Sequence, residues 1–316
     1  MRLAILGATS QIAKDLVQTF AEQSSDDLVL YARRPDDVLQ WLTRVGLAGR
    51  YAVADFADFA PDEEFQAIIN FVGVGDPAKA AAMGASIFDL TLRYDELALD
   101  YLRQHPSCRY IFLSSGAAYG NSFDAPADID TRTSIAINNL QPQDWYTVSK
   151  VHAECRHRAL AHLSIIDVRV FNYFSHTQNI NARFLITDAL RAIRDITVLQ
   201  TSASPMVRDY LHPSDFYQMV TLLLSAAPVN LVLDCYSQAP IDKQTLLRAL
   251  RENFGLQYEI VQMPVGLNAT GRKPCYYTLN RGLENFGYEP QFSSLAGILH
   301  ESKKLFSKSR FLKRNI

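Results

Sequence analysis

The chain predicts a doubly wound parallel α/β sheet with a smaller C-terminal domain, and three observations carry that expectation. Short apolar runs alternate with helical patterns from Arg2 to about Val170, as happens when parallel strands are joined by crossover helices on both faces. The first run, Arg2-Leu3-Ala4-Ile5-Leu6, passes through a turn at Gly7 into a helical pattern that lasts to Phe20. Another run, Arg109-Tyr110-Ile111-Phe112-Leu113, opens into Ser114-Ser115-Gly116-Ala117-Ala118-Tyr119-Gly120. That puts hydroxyls at a strand's carboxyl end, where open α/β sheets form their sites. At 316 residues and 48% hydrophobic content, the chain can bury a full core in one or two domains.

In chain order, the first strand meets Gly7-Ala8-Thr9-Ser10-Gln11-Ile12-Ala13. A dinucleotide fold wants glycines in this turn, so that backbone N–H groups and a helix N-terminus can approach a pyrophosphate. Only Gly7 stands; Ser10 and Ala13 are small enough to keep a close approach open. The cofactor-binding candidates here are Gly7, Thr9, Ser10, Gln11 and Ile12, although an ordinary βα turn fits this segment as well. The next strand, Leu28-Val29-Leu30-Tyr31, ends in Ala32-Arg33-Arg34, where an NAD site usually puts an acidic residue for the ribose 2′-OH. Two guanidiniums suit a 2′-phosphate by charge and by their planar forks, so NADP(H) is expected ahead of NAD(H). A solvated basic turn is the plainer alternative.

Two further apolar runs, Tyr51-Ala52-Val53-Ala54-Asp55-Phe56 and Ala67-Ile68-Ile69-Asn70-Phe71-Val72-Gly73-Val74-Gly75, fit the same sheet. Asp55 is placed to accept from an adenine amino group with Phe56 on the ring, and Phe71-Val72-Gly73 to pass under the adenosine ribose; packing explains the apolar residues equally well.

Tyr146 and Lys150 lie four apart in Asp144-Trp145-Tyr146-Thr147-Val148-Ser149-Lys150. Four residues is about one helical turn, so the two side chains share a face and the ammonium can acidify the phenol. A free tyrosine titrates near ~10, so proton exchange at neutral pH needs it brought down by roughly 3 pH units, about 4 kcal/mol. Spacing alone also fits a solvated helix face; the hydroxyl-bearing strand end at Ser115 gives the pair a partner. A Ser, a Tyr and a Lys so arranged can hold a carbonyl oxygen and pass it a proton while hydride arrives at carbon.

Five segments in order, the turn Gly7 to Ala13, Ser114 to Gly120, Tyr146 to Lys150, Arg169-Val170-Phe171-Asn172 and Val207-Arg208-Asp209-Tyr210-Leu211-His212, give the chain its family likeness. Over nearly its full length it resembles the extended short-chain dehydrogenase/reductases, the group of sugar-nucleotide epimerases, dehydratases and ketoreductases. The resemblance implies a Rossmann-type doubly wound parallel sheet with a smaller C-terminal substrate-binding domain. It also implies that Ser115 is the catalytic hydroxyl, Tyr146 the acid/base and Lys150 its activator and ribose ligand. Asn172 and Arg208 match positions that touch the nucleotide diphosphate, and Arg272 in Gly271-Arg272-Lys273 lies where many relatives carry a second diphosphate-binding arginine. A plain loop cation is the other reading of Arg272. Ser115 with Asn172, Arg208 and Arg272 then forms the substrate-binding set.

Departures from the family narrow the expected activity. Its 4,6-dehydratases carry an Asp-Glu pair directly after the active-site hydroxyl, whereas Gly116-Ala117 stand here. Its epimerases hold NAD tightly and usually show the acidic ribose ligand, which is missing. The expectation is therefore an NADPH-dependent reduction of a nucleotide-linked 4-keto-6-deoxy sugar to a 6-deoxysugar nucleotide, for cell-surface polysaccharide or glycan biosynthesis. A sugar-nucleotide 4-epimerase is the competing enzyme, and a non-catalytic NADPH-binding protein the competing class, since fold alone does not prove chemistry. The expected partners are a nucleotide-diphosphate sugar and a second copy of the chain, because relatives pair helices near Thr91 to Arg103 and Trp145 to His162 across a homodimer.

The remaining sequence is less regular. Helical patterns are expected from Arg183 to Ile193, Asp215 to Ala226 and Lys243 to Phe254, with a late strand at Leu231-Val232-Leu233-Asp234-Cys235. Residues 1–170 with about 207–236 are expected to form the cofactor domain, and 171–206 with 237–316 the substrate domain. Charge is 31 basic against 33 acidic, a net of −2, which recommends no nucleic acid as partner. Cys108, Cys155, Cys235 and Cys275 have no C-x-x-C or His-rich companion spacing, so no metal site or disulfide framework is expected. With no signal-peptide core and no run of 18 apolar residues, a cytoplasmic protein without integral membrane segment is expected. The basic tail from Lys303 to Arg314 fits a solvated helix end, and membrane-surface contact is its minority reading.

Overall fold

The computed structural model describes residues 1–59, 62–74, 80, 82–120, 123–262 and 273–313, with the side chains of all but 143 and 308–313. Seven parallel strands form the central sheet: β1 (Arg2–Leu6), β2 (Asp27–Tyr31), β3 (Ala52–Ala54), β4 (Ala67–Asn70), β5 (Arg109–Ser115), β6 (Ile165–Val170) and β11 (Leu231–Asp234). Their order across the sheet is β11, β6, β5, β4, β1, β2, β3. The apolar runs do not alternate with polar residues because both faces are covered. Leu3 and Ile5 point into one core, Ala4 and Leu6 into the other. The first core packs under helices α1 (Gln11–Gln23) and α2 (Pro35–Arg44) through Leu16, Phe20 and Trp41. The second packs under helix α3 (Ser86–Gln104) through Tyr94, Leu99 and Leu102, and helix α4 (Pro142–Ala159) adds Ala153.

Two strands stop earlier than the apolar runs do, for reasons a side chain supplies. β4 ends at Asn70 because its carboxamide oxygen accepts the Val72 N–H at 2.8 Å while its amino group donates to Tyr110 Oη at 2.8 Å. β3 ends at Ala54 because Asp55 accepts the Ala57 N–H at 2.9 Å and starts a 3₁₀ turn over Phe56–Asp58. Both are local side-chain bonds that compete with the ladder.

After the sheet's sixth strand the chain leaves for a third apolar cluster. Helices α5 (Leu185–Asp195) and α7 (Lys243–Phe254) supply Ile186, Leu190, Leu246 and Leu250, and helix α8 (Ser294–Lys313) supplies Ile298. The short strands β7 (Asn172–Tyr173), β8 (Val198–Thr201), β9 (Val207–Arg208), β10 (Tyr210–Leu211), β12 (Ile241–Asp242), β13 (Gln257–Ile260) and β14 (Cys275–Tyr276) pair among themselves: β7 with β10, β8 with β13, and β9 between β12 and β14. Between them helix α6 (Pro213–Ser225) returns to the first core through Phe216, Met219 and Val220. Arg109, at the start of β5, caps this helix by donating to the carbonyls of Leu223, Ala226 and Ala227, a use of a cation at a helix C-terminus.

Asp15 of α1 ties the two parts together, accepting from Tyr173 Oη at 2.9 Å, Ser175 Oγ at 2.7 Å and Thr177 Oγ1 at 2.7 Å. Between α3 and α4, fully buried His157 sits with Nδ1 2.6 Å from Asp167 and Nε2 2.8 Å from Asp95. None of the described helices is long and apolar enough to cross a membrane.

Candidate active site

The strand order changes direction between β1 and β4, and a crevice opens outside the strand ends at such a switch point. Gly7 lies there with φ +81°, and a β-carbon on it would meet the Val72 nitrogen at 2.9 Å and the Phe71 carbonyl carbon at 3.0 Å. Gly7 is thus required both by its backbone and by the 71–73 turn that crosses close beside it. Helix α1 begins at Gln11 with no side-chain bond from Ser10 to cap it and no acidic residue in its first turn. Its first N–H groups are left for an anion, which suits the pyrophosphate of a dinucleotide. Thr9 is exposed, Ile12 packs partly buried on the core, and Gln11 is turned toward Ser175, donating to its Oγ at 2.8 Å.

At the end of β2, Arg33 and Arg34 are both exposed, and Arg34 pairs with Asp37 at 2.9 Å. Phe56 is buried against Tyr94, ring centres 4.3 Å apart, so its ring is part of the core. Asp55 holds the adjoining 3₁₀ turn.

Ser115 ends β5 in extended conformation, and its Oγ accepts the Ala117 N–H at 3.2 Å. Helix α4 is started by Pro142 and by the Asp144 carboxylate, which accepts the Gln141 N–H at 2.8 Å. It carries Tyr146 to hydrogen-bonding reach of Ser115. One turn on, Lys150 is buried; its Nζ donates to the Leu113 carbonyl at 2.8 Å and lies 4.4 Å from the Phe112 ring centre. The next turn holds Glu154, which accepts from Ser114 and Arg169 and so fixes the helix against the ends of β5 and β6. Among the described residues, a β-carbon on Gly73 would meet only Lys150 Nζ, at 3.6 Å; the lysine therefore reaches the floor of the crevice beside the 71–73 turn.

One electrostatic expectation is corrected. Burial pushes the Tyr146 phenol up from its ordinary value, with the bond to Ser115 offsetting part of this. Burial also lowers the Lys150 ammonium to about 8, against the pull of Glu154, Asp167 and Asp95. The Lys150 Nζ, 5.9 Å from the Tyr146 ring centre, is directed at the Leu113 carbonyl.

The sequence reading missed three residues of this site. Tyr276 places its hydroxyl 3.2 Å from Ser115 Oγ. Phe171 covers Gly116 so closely that a β-carbon there would lie 2.4 Å from its ring, so any side chain at this point requires the Phe171 ring to move. Lys273 lies over the Tyr276 and Phe123 rings at 4.9 and 5.3 Å, its ammonium lowered to about 8 by burial and by Arg208. Arg208 is itself buried, lies 5.7 Å over the Tyr276 ring, and donates to the Lys273 carbonyl at 2.7 Å. Asn172 uses its amide to reach the Asp209 carbonyl at 3.0 Å, which joins β7 to the turn before β10. Arg272 lies outside the described residues.

A doubly wound sheet whose strand ends gather Ser115, Tyr146 and Lys150 is the arrangement of a nicotinamide-dependent oxidoreductase. The model of the NAD dependent epimerase/dehydratase family matches residues 3–232, and the chain belongs to that family. No curated protein matches the sequence significantly. Among solved structures, the UDP-glucose-4-epimerase from Stenotrophomonas maltophila with bound NAD and formylated UDP-arabinopyranose is similar at 17% identity and TM-score 0.79, with 100% of each chain covered. The UDP-glucose 4-epimerase of Thermotoga maritima with UDP-glucose is similar at 16% identity and TM-score 0.78, covering 98% of this chain and 99% of that one. The dTDP-glucose 4,6-dehydratase of Bacillus anthracis in complex with NAD gives 14% identity and TM-score 0.77, with 98% and 97% covered. At these identities the likeness is one of fold.

Proposed function

We propose that the chain reduces a nucleotide-linked 4-keto-6-deoxy sugar with NADPH, giving a 6-deoxysugar nucleotide for glycan or polysaccharide assembly. The observation that carries this reading is the exposed Arg33-Arg34 turn at the end of β2, with no carboxylate at those positions. A 2′-phosphate finds two guanidiniums there, and NADP(H) serves reactions that consume the cofactor rather than recycle it. Gly7, Ser10 and the first turn of α1 would hold the pyrophosphate, and Lys150 the ribose beside Gly73. The bound cofactor supplies hydride. Ser115 and Tyr146 hydrogen-bond the ketone oxygen, and Tyr146 gives that oxygen its proton. A phenol raised by burial stays protonated at neutral pH, which suits an acid. Arg208 and Lys273 offer two cations to a diphosphate. The part built around the α5, α7 and α8 cluster is the proposed substrate domain, with 1–170 and about 207–236 holding the cofactor.

Gly116-Ala117 in place of an Asp-Glu pair, with Phe171 packed over Gly116, speaks against a dehydratase. A 4-epimerase remains the second reading, supported by the NAD-bound epimerases of the same fold. One pair of assays separates the two. dTDP-, CDP-, GDP- and UDP-linked 4-keto-6-deoxyhexoses are offered with NADPH and, in parallel, NADH, and loss of reduced cofactor is followed; the 4-hydroxy sugars are offered with no added cofactor. We expect stoichiometric oxidation of NADPH in the first. Interconversion of C4 epimers in the second, with silence in the first, gives the epimerase.

A further inference from the structure

Four side chains outside the active site converge where α8 meets the start of α6. His176 follows β7, His212 immediately precedes α6, and His300 and Glu301 lie on α8. Their spacing in sequence, 88 residues between His212 and His300, gives no sign of a shared site. In the fold, the buried Glu301 carboxylate directs Oε1 at His212 Nε2, 3.3 Å away, and at His300 Nδ1, 3.4 Å away. The two imidazole nitrogens are 3.0 Å apart. One oxygen and two nitrogens thus form a nearly equilateral triangle. Tetrahedral zinc, bound at ~2.0–2.1 Å, keeps its ligand atoms about 3.3 Å from one another.

The groups around this triangle orient each member of it. The other carboxylate oxygen of Glu301 takes the His176 N–H at 2.8 Å and lies 2.7 Å from His176 Nδ1. The far nitrogen of His212 is 2.7 Å from Ser214 Oγ, and the Phe292 ring is stacked on the imidazole at 3.9 Å. Outer partners of this kind fix ring orientation and tautomer in metal sites. The Lys304 ammonium already sits 2.8 Å from Glu301 Oε1, with its side chain 44% exposed. A cation therefore occupies the carboxylate oxygen in question and is free to swing into solvent. His300, 43% exposed, leaves the triangle open to the surface.

We propose that His212, His300 and Glu301 form a binding site for a divalent transition-metal ion of the zinc type, with a fourth position open to water. On binding, the single proton of the neutral His212 imidazole resides on Nδ1 and is donated to Ser214 Oγ, leaving the Nε2 lone pair for the ion. The Ser214 N–H, 3.2 Å from Nδ1, gives up that acceptor; as a first-turn donor it has no intrahelical partner to lose. Lys304 leaves Glu301, since the ion replaces its charge. The ion clips α8 to the start of α6 and takes no part in the reaction at Tyr146.

The full chain, stripped with a chelator, is titrated with zinc sulfate and followed by calorimetry, with bound metal counted by elemental analysis. We expect one saturable zinc per chain. His300→Ala, at an exposed position, should weaken binding at least about tenfold. Lys304→Met should tighten it several-fold, because the competing cation is gone; a cluster that serves only as an ion-pair network would not gain affinity this way. Circular dichroism and thermal melts establish that both variants are folded. Absence of saturable zinc binding, unchanged affinity in His300→Ala, or no tightening in Lys304→Met overturns the assignment.

Discussion

The Tyr146 hydroxyl, within hydrogen-bonding reach of Ser115, is the group whose removal asks most of the proposed chemistry. Tyr146→Phe keeps the ring and takes away the proton donor, so turnover should fall on the order of 10²–10⁴ while NADPH affinity, measured by fluorescence titration, holds. Normal turnover in this variant would mean that another group protonates the ketone oxygen. Tyr276, 3.2 Å from Ser115 Oγ, would then be the first to examine. The residues of this cluster differ in how readable they were. Tyr146 and Lys150 announce themselves by a spacing of one helical turn, and Ser115 by standing where an apolar run ends. Tyr276, Phe171 and Lys273 carry no such mark. They reach the site through β14, which pairs with β9, and through the end of β6, contacts between distant segments that no local period encodes. Nor does spacing say that Tyr146 is itself buried, and it is that burial that raises the phenol.

At the level of elements, the α3–α4 pair is joined by an ionic core. Burial alone would lower the His157 imidazole, but hydrogen bonds to Asp167 and Asp95 outweigh that and hold it at about 9. Its unfolded value is near ~6.5, so the folded value is the raised one. The stabilisation is then fully present below about 6.5 and is lost as pH rises through about 9. His157→Leu leaves Asp95 and Asp167 buried with Arg156 and Arg158 as their ionic partners and the Tyr110 hydroxyl donating to Asp95, and should cost about 3–5 kcal/mol near pH 6. Urea midpoints from pH 6 to 10 provide the check: the variant's curve should be flatter than that of the unmodified chain across 7–10, and parallel curves would show that the imidazole is not the titrating group. Element positions were legible where burial on both strand faces suppresses alternation, as in β1, β2 and β5. Ends were less so. The helix expected from Arg183 begins at Leu185, because Thr187 Oγ1 accepts the Phe184 N–H at 3.1 Å and sets the first turn there.

Over the whole molecule, the order of elements along the chain differs from their order in space. The core on the α1 face of the sheet contains Ile111, Ile166 and Val168 from β5 and β6, yet it is completed by Phe216, Met219, Val220 and Leu223 of α6 and by Leu233 of β11. As the polypeptide emerges from the ribosome, that apolar face stays uncovered for more than 40 residues after β6 is finished, and the free edge of β6 waits longer still, for Leu231–Asp234. An open strand edge beside an exposed apolar face is a template for aggregation. Chains ended after residue 205 should therefore sediment with the insoluble fraction unless a chaperone is co-expressed, and chains ended after 240 should be markedly more soluble; equal solubility of the two would show that the early strands protect themselves. The late return of α6 to the sheet thus places the nascent chain's most vulnerable interval between the end of β6 and Ser225.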